Sequence, residues 1–87
     1  MKIAVWDTYV TRKDGKVMHF DILVDENLKD EQIIFDHGKT YLKSVNQEGQ
    51  ELTSKECTFC HIDKAPEATE QQILKNGFAI IEIENCN

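Results

Sequence analysis

Residues Lys2–Val24, KIAVWDTYVTRKDGKVMHFDILV, decide how the rest of the chain is organised. Two runs rich in Val, Ile, Tyr, Phe and Trp, residues 2–10 and 17–24, flank Arg12-Lys13-Asp14-Gly15-Lys16. Strand formers on either side of an Asp-Gly pair predict a β-hairpin, because glycine reaches positive φ without steric penalty. Two registers compete. A two-residue loop at Asp14-Gly15 mixes polar and apolar side chains on both faces. A three-residue loop, with Gly15 in a left-handed bulge position, sorts them. It sets Ala4, Trp6, Thr8 and Val10 beside Met18, Phe20, Ile22 and Val24 on one face, which the helices should cover. Slipping by one residue exchanges the faces, so the sorted register is expected. That register places Asp7 across from Asp21 and Tyr9 across from His19. Directly opposed like charges repel, so solvent, a lysine, a hydrogen-bond network or a cation must relieve them. Either the pair is solvated on an open face, or Asp7, Tyr9, His19 and Asp21 build a polar site.

The chain has 87 residues, enough for a single domain spanning 1–87. A domain of this size buries only about 60–70% of its unfolded surface, and such domains often add a disulfide, a metal or an oligomer interface. The formal charge of −6 argues against nonspecific nucleic-acid binding, which needs a basic surface. It suits a protein partner. No apolar run approaches the ~20 residues of a membrane helix. In Met1-Lys2-Ile3-Ala4-Val5-Trp6-Asp7 an acidic residue interrupts the start early, and there is no signal-peptide pattern. A cytoplasmic location is expected. In that reducing compartment three cysteines are better explained as thiols or metal ligands than as disulfides.

Beyond the hairpin, a helix is expected from about Leu28 to Val45, with Asn27 as N-cap and Asp30 and Glu31 at the positive end of its dipole. Ile34, Gly38, Tyr41, Leu42 and Val45 form its buried stripe, with Gly38 marking close approach to the sheet. His37 falls on the flank as a surface histidine. Residues 46–52 are a polar connection. Thr53-Ser54-Lys55-Glu56 matches a capping box and predicts a short helical turn opening into Cys57. If the turn continues, Cys57, Cys60 and His61 share one face at i, i+3 and i+4. Pro66 opens a further helix that Asn76-Gly77 ends, with a thin apolar face of Thr69, Ile73 and Leu74. Phe78–Glu84 is the last strand, with Cys86 at its exit. The order ββααβ implies a two-layer α+β domain: a three-stranded sheet with the helices mainly on one face. The last strand is expected beside the first.

Cys57-Thr58-Phe59-Cys60-His61 is the stretch that suggests specific chemistry. A Cys-x-x-Cys pair can hold one zinc ion, and closed structural sites complete the tetrahedron with two further Cys or His ligands. Cys86 is the third candidate, and His61 or His19 the fourth. The string also matches covalent haem attachment, which the absent export signal and the small apolar volume oppose. A thiol–disulfide redox role is the alternative, since a helix N-terminus lowers a thiol pKa. Against it, the stretch does not follow a strand in a βαβ unit, and the only proline is Pro66. A further reading makes the cysteines small buried hydrophobes in a metal-free binding domain. No phosphate-binding glycine loop, Gly-x-Ser-x-Gly or His-Glu-x-x-His occurs, so nothing nominates an enzyme.

Several separated motifs point the same way. Asp7-Thr8-Tyr9-Val10, Met18-His19-Phe20-Asp21, Leu52-Thr53-Ser54-Lys55-Glu56-Cys57-Thr58-Phe59-Cys60-His61 and the late Cys86 together resemble a bacterial domain-of-unknown-function family, number twenty twenty-four. The resemblance covers nearly the whole chain. It implies a small single-domain α+β protein of bacteria, cytoplasmic and not cytochrome-like. It carries over no catalytic or binding residues. The functional expectation is a structural zinc-binding or partner-binding module.

Overall fold

The computed structural model describes all 87 residues. β1 (Lys2–Thr11) and β2 (Val17–Asp25) form the expected hairpin. Its register is the sorted one, with Thr8 opposite Phe20, Asp7 opposite Asp21 and Tyr9 opposite His19. The Arg12 N–H donates to the Lys16 carbonyl at 2.7 Å, and the Gly15 N–H returns to the Arg12 carbonyl at 3.0 Å. Gly15 sits at φ 88°, the left-handed position that this loop requires.

The first helix, α1 (Glu31–Ser44), starts later than expected. Asp30 is its cap instead of Asn27, accepting the Gln32 N–H at 3.0 Å. The Asn27 N–H is instead taken by the Asp25 carboxylate at 2.8 Å in a preceding turn. Ile34, Gly38, Tyr41 and Leu42 are buried as the periodicity implies. Gly38 is in tight contact: a Cβ there would lie 2.4 Å from Leu52 Cδ1 and 2.9 Å from Ile22 Cδ1.

The main departure concerns Cys57–Lys64, which is a strand, β3, and not the continuation of a helical turn. The capping box does form. The Thr53 N–H donates to Glu56 Oε1 at 2.8 Å, and the Lys55 N–H to Thr53 Oγ1 at 3.2 Å. It closes a single turn, after which the chain extends. The reason lies in β1, whose outer edge would otherwise carry a row of unpaired backbone groups. β3 pairs with it from Lys2–Lys64 to Thr8–Cys57. Thr58, Phe59 and Ile62 are strand formers that favour this outcome. Between Val5 and Trp6 the register shifts, and Cys60 is the extra residue of the bulge.

The sheet therefore has four strands, not three, in the order β3-β1-β2-β4. β4 (Ala79–Glu84) pairs with β2 and not with β1, since β3 already occupies the free side of β1. Between them, α2 (Glu67–Asn76) follows Pro66 and ends at Gly77, whose φ is 86° and whose N–H donates to the Ile73 carbonyl. The two helices lie on opposite faces, contrary to expectation. α1 covers the face built by Trp6, Met18, Phe20 and Ile22. α2 lays Ile73 on Ile3, Val5, Leu23 and Ala79 of the other face. The strand pattern explains this: Ile3, Val5 and Leu23 make one end of the second face apolar too, and an exposed apolar end needs a cover. α2 is short and reaches only that end. The opposite end, where β1 and β2 carry Asp7, Tyr9, His19 and Asp21, stays open.

Candidate functional site

The open end of the α2-side face holds a converging set of side chains. One potential ligand atom from each of Asp7, His19 and Asp21 lies within 4.8 Å of the other two. Hairpin register produces the grouping: Asp7 and Asp21 are directly opposite, and His19 is two residues from Asp21 on the same face of β2. His19 Nε2 is bonded to Asp7 Oδ1. The Tyr9 ring stacks on the His19 imidazole, with centroids 4.1 Å apart and planes 11° from parallel. That contact fixes the ring plane and turns Nε2 towards the carboxylates. Behind it, the Cys86 thiol donates to the His19 carbonyl at 3.3 Å.

The electrostatics are those of crowded anions. Partial burial raises the Asp21 carboxyl above its ordinary value, and the neighbouring Asp7 charge adds to the rise. His19 and His61 act in the opposite direction on Asp21. Tyr9 is raised as well, first by desolvation and then by Asp7, Asp21 and Glu84.

The structure does not gather the cysteines. Cys57 is buried at the start of β3, with its sulfur 3.4 Å from Thr8 Oγ1. Cys60 is exposed on the bulge, 3.2 Å from His61 Nδ1. Cys86 is buried beside β2, past the far edge of the sheet, among the residues under α1. Two strands separate Cys57 from Cys86, so the expected set of Cys57, Cys60 and Cys86 with His61 or His19 does not converge on a point. An extended β3 also removes the helical face that was to align Cys57, Cys60 and His61. Burial pushes the Cys57 thiol up, the reverse of what a reactive thiolate needs. The two histidines fare differently. His61 pairs with Val5, which puts it on the same face as Asp7, and His19 is part of the converging set itself.

Comparison with known proteins places this architecture. The family model described as a domain of unknown function (DUF2024) matches residues 1–83. The chain belongs to that family. The fold is also that of protein NE1680 from Nitrosomonas europaea, solved by NMR, at 44% identity and a TM-score of 0.86, with all of both chains covered. No curated protein matches. The expected family membership and α+β class are therefore shown, with the strand count and helix placement corrected as above.

In this family member the chemistry that the open face supports is that of oxygen and imidazole ligands. Two carboxylates and a histidine bind divalent ions such as Zn²⁺ or Mn²⁺. Ligand atoms at about 2.0–2.2 Å from a shared ion lie no more than about 4.4 Å apart, close to the 4.8 Å within which these three atoms already lie. The sequence carried the signal for it, namely two opposed aspartates and a histidine fixed by hairpin register, outside any recognisable ligand spacing motif.

Proposed function

We propose that this protein is a divalent-metal-binding module whose ligands are Asp7, His19 and Asp21 and not the cysteines. The observation that carries the reading is the convergence of those three ligand atoms within 4.8 Å at the end of the α2-side face that α2 does not reach. Apposed carboxylates cost free energy in the folded state, and an ion between them turns repulsion into attraction. Tyr9 supports the imidazole by stacking, and Cys86 holds the backbone of His19 from behind. Three protein ligands leave a coordination position for water or for a donor from a partner. The role that follows is stabilising and partner-presenting, with zinc as the first ion to examine.

Titration of tag-free protein with Zn²⁺ and Mn²⁺ by calorimetry tests this. One ion per chain is expected, with binding lost in Asp7→Asn and Asp21→Asn and retained when Cys57, Cys60 and Cys86 are all replaced by serine. Because the ligands must be deprotonated, affinity should fall as the solution is acidified. Binding that survives both aspartate substitutions, or that disappears with the cysteines, overturns the assignment.

A further inference from the structure

The α1-side face has its own uncovered corner. α1 begins at Glu31 and leaves the β3 end of that face open. There Ala4, Trp6, Leu28, Phe59 and Ile62 line a groove of about 660 Å³, within the 300–1,000 Å³ of typical small-molecule sites. Phe59 and Ile62 are 51% and 46% exposed, so β3 presents apolar side chains that the protein itself does not cover. Trp6 is 93% buried, being 7% exposed, yet its Nε1–H has no hydrogen-bond partner. A buried donor without an acceptor is costly, by about 1–3 kcal/mol, and buried indoles normally find one. Phe59 stands edge-on to the indole, with ring centroids 5.8 Å apart and planes 74° from parallel. It is half exposed on an edge strand, and a ligand that reaches the buried indole N–H must displace it. Glu26, Lys29 and Glu31 form the rim, with a net negative charge that repels anions.

We propose that this groove binds a neutral planar heteroaromatic molecule, which stacks beside Phe59 and supplies the acceptor that Trp6 Nε1 lacks. The apolar walls call for a ring, the unpartnered indole calls for a ring nitrogen or carbonyl, and the acidic rim excludes a carboxylate or phosphate. The site is independent of the aspartate–histidine cluster, which lies on the opposite face.

The chain contains a single tryptophan, so one indole N–H resonance in a ¹H–¹⁵N correlation spectrum reports on the groove alone. Quinoline, neutral at pH 7.5, serves as the probe. N-methylquinolinium is the control, having the same ring with its acceptor lone pair blocked. Quinoline is expected to move the Trp6 indole signal downfield in a saturable manner, together with the amides of Leu28 and Ile62. N-methylquinolinium should bind at least about fivefold more weakly, the equivalent of one hydrogen bond of about 1 kcal/mol, despite the favourable charge of the rim. Ile62→Glu, at a half-exposed position on the edge strand, should weaken quinoline by a similar factor while the amide spectrum stays that of the folded protein. Trp6→Phe should abolish the preference for quinoline over its methylated form. The proposal is overturned if quinoline leaves these signals unmoved, or if N-methylquinolinium shifts the indole equally. It is also overturned if the same signals move with protein concentration alone, which would assign the groove to a second copy of the chain.

Discussion

The two ends of the α2-side sheet face are built by the same pair of strands and have opposite characters. At one end Ile3, Val5 and Leu23 lie under Ile73 and are almost fully buried. At the other, Asp7, Tyr9, His19 and Asp21 are partly or largely open. Hairpin pairing continues through both ends without a break, so backbone hydrogen bonding does not distinguish them. Side-chain content does. Where the outward positions are apolar, the chain spends ten residues of helix on covering them. Where they are charged, the face stays open and two carboxylates are held opposite one another at a cost to stability. Natural sequences tolerate such local conflicts mainly at functional positions, which is why the open end, and not the cysteine string, is the candidate site.

The largest effect that separates the two helix-covered regions should come from truncating their cores. Phe20 is fully buried beneath α1 and tilts against Tyr41 with ring centroids 4.7 Å apart. Phe20→Ala should cost about 3–5 kcal/mol, enough to unfold a domain of this size. Ile73→Ala under α2 removes the only buried side chain of that helix and should cost about 2–3 kcal/mol. Urea denaturation of both variants checks the order. Equal losses would show that the α2 end is a full second core and not a thin cover.

Next in size is the response of the open end to metal. Zinc at a hundredfold excess over its dissociation constant should stabilise the protein by about 2.7 kcal/mol. Asp21→Asn should remove that gain entirely while raising the stability of the metal-free protein at neutral pH. The rise is about 0.2–1 kcal/mol, the value of an opposed like-charge pair, or roughly 1–6 °C in melting temperature. Its pH dependence has a definite sign. The folded-state pKa of Asp21 is raised by burial and by Asp7. Its contribution therefore favours folding below the unfolded carboxyl pKa of about 3.9 and is lost as pH rises through the folded value. The advantage of the asparagine variant should appear above that window and vanish in acid. Thermal melts of both proteins from pH 3 to 7 measure it, and a variant less stable than the parent at pH 7 contradicts the account.

These contrasts also show which features could be read from the residues. The hairpin and its register were legible because alternation and the Asp-Gly turn agreed, and the opposed aspartates followed from them. α1 was legible from Ile34, Gly38, Tyr41 and Leu42, apart from the choice of cap, where Asp25 drew Asn27 into a turn of its own. β3 was not. Thr53–Glu56 gives a sound local helix signal, and only the open edge of β1, a tertiary fact, decides that Cys57–Lys64 extends. With β3 misassigned, β4 was given its place beside β1, the sheet lost a strand and both helices were put on one face. The cysteines are not gathered either, since β3 and β4 take opposite edges of the sheet and put Cys57 and Cys86 two strands apart. Asp7, His19 and Asp21 were legible as a possible polar site from the hairpin register, but the Cys-x-x-Cys spacing drew the zinc assignment to the cysteines, with His19 only as a candidate fourth ligand.

The smallest predicted effect joins the two faces through the edge of the molecule. His37 of α1 stacks on Phe78, just after α2, with centroids 4.5 Å apart and planes 21° from parallel. A Cβ at Gly77 would lie 3.5 Å from the same ring. Burial lowers the His37 pKa, against a smaller opposing pull from Asp36. For a histidine with a depressed folded-state value, the contribution to stability is complete above the unfolded pKa of about 6.5. It is lost as pH falls through the folded value, because the unfolded chain takes up the proton first. The ring is largely solvent-screened, so the loss should stay below about 0.5 kcal/mol. His37→Gln removes the titration and keeps a planar polar group against Phe78. The stability difference between parent and variant should therefore shrink between pH 7.5 and 5.5, measured by chemical denaturation at each pH. A difference that is constant across this range would mean that the α1 contact with the α2–β4 turn is held by packing alone, and that protonation of His37 does not loosen it.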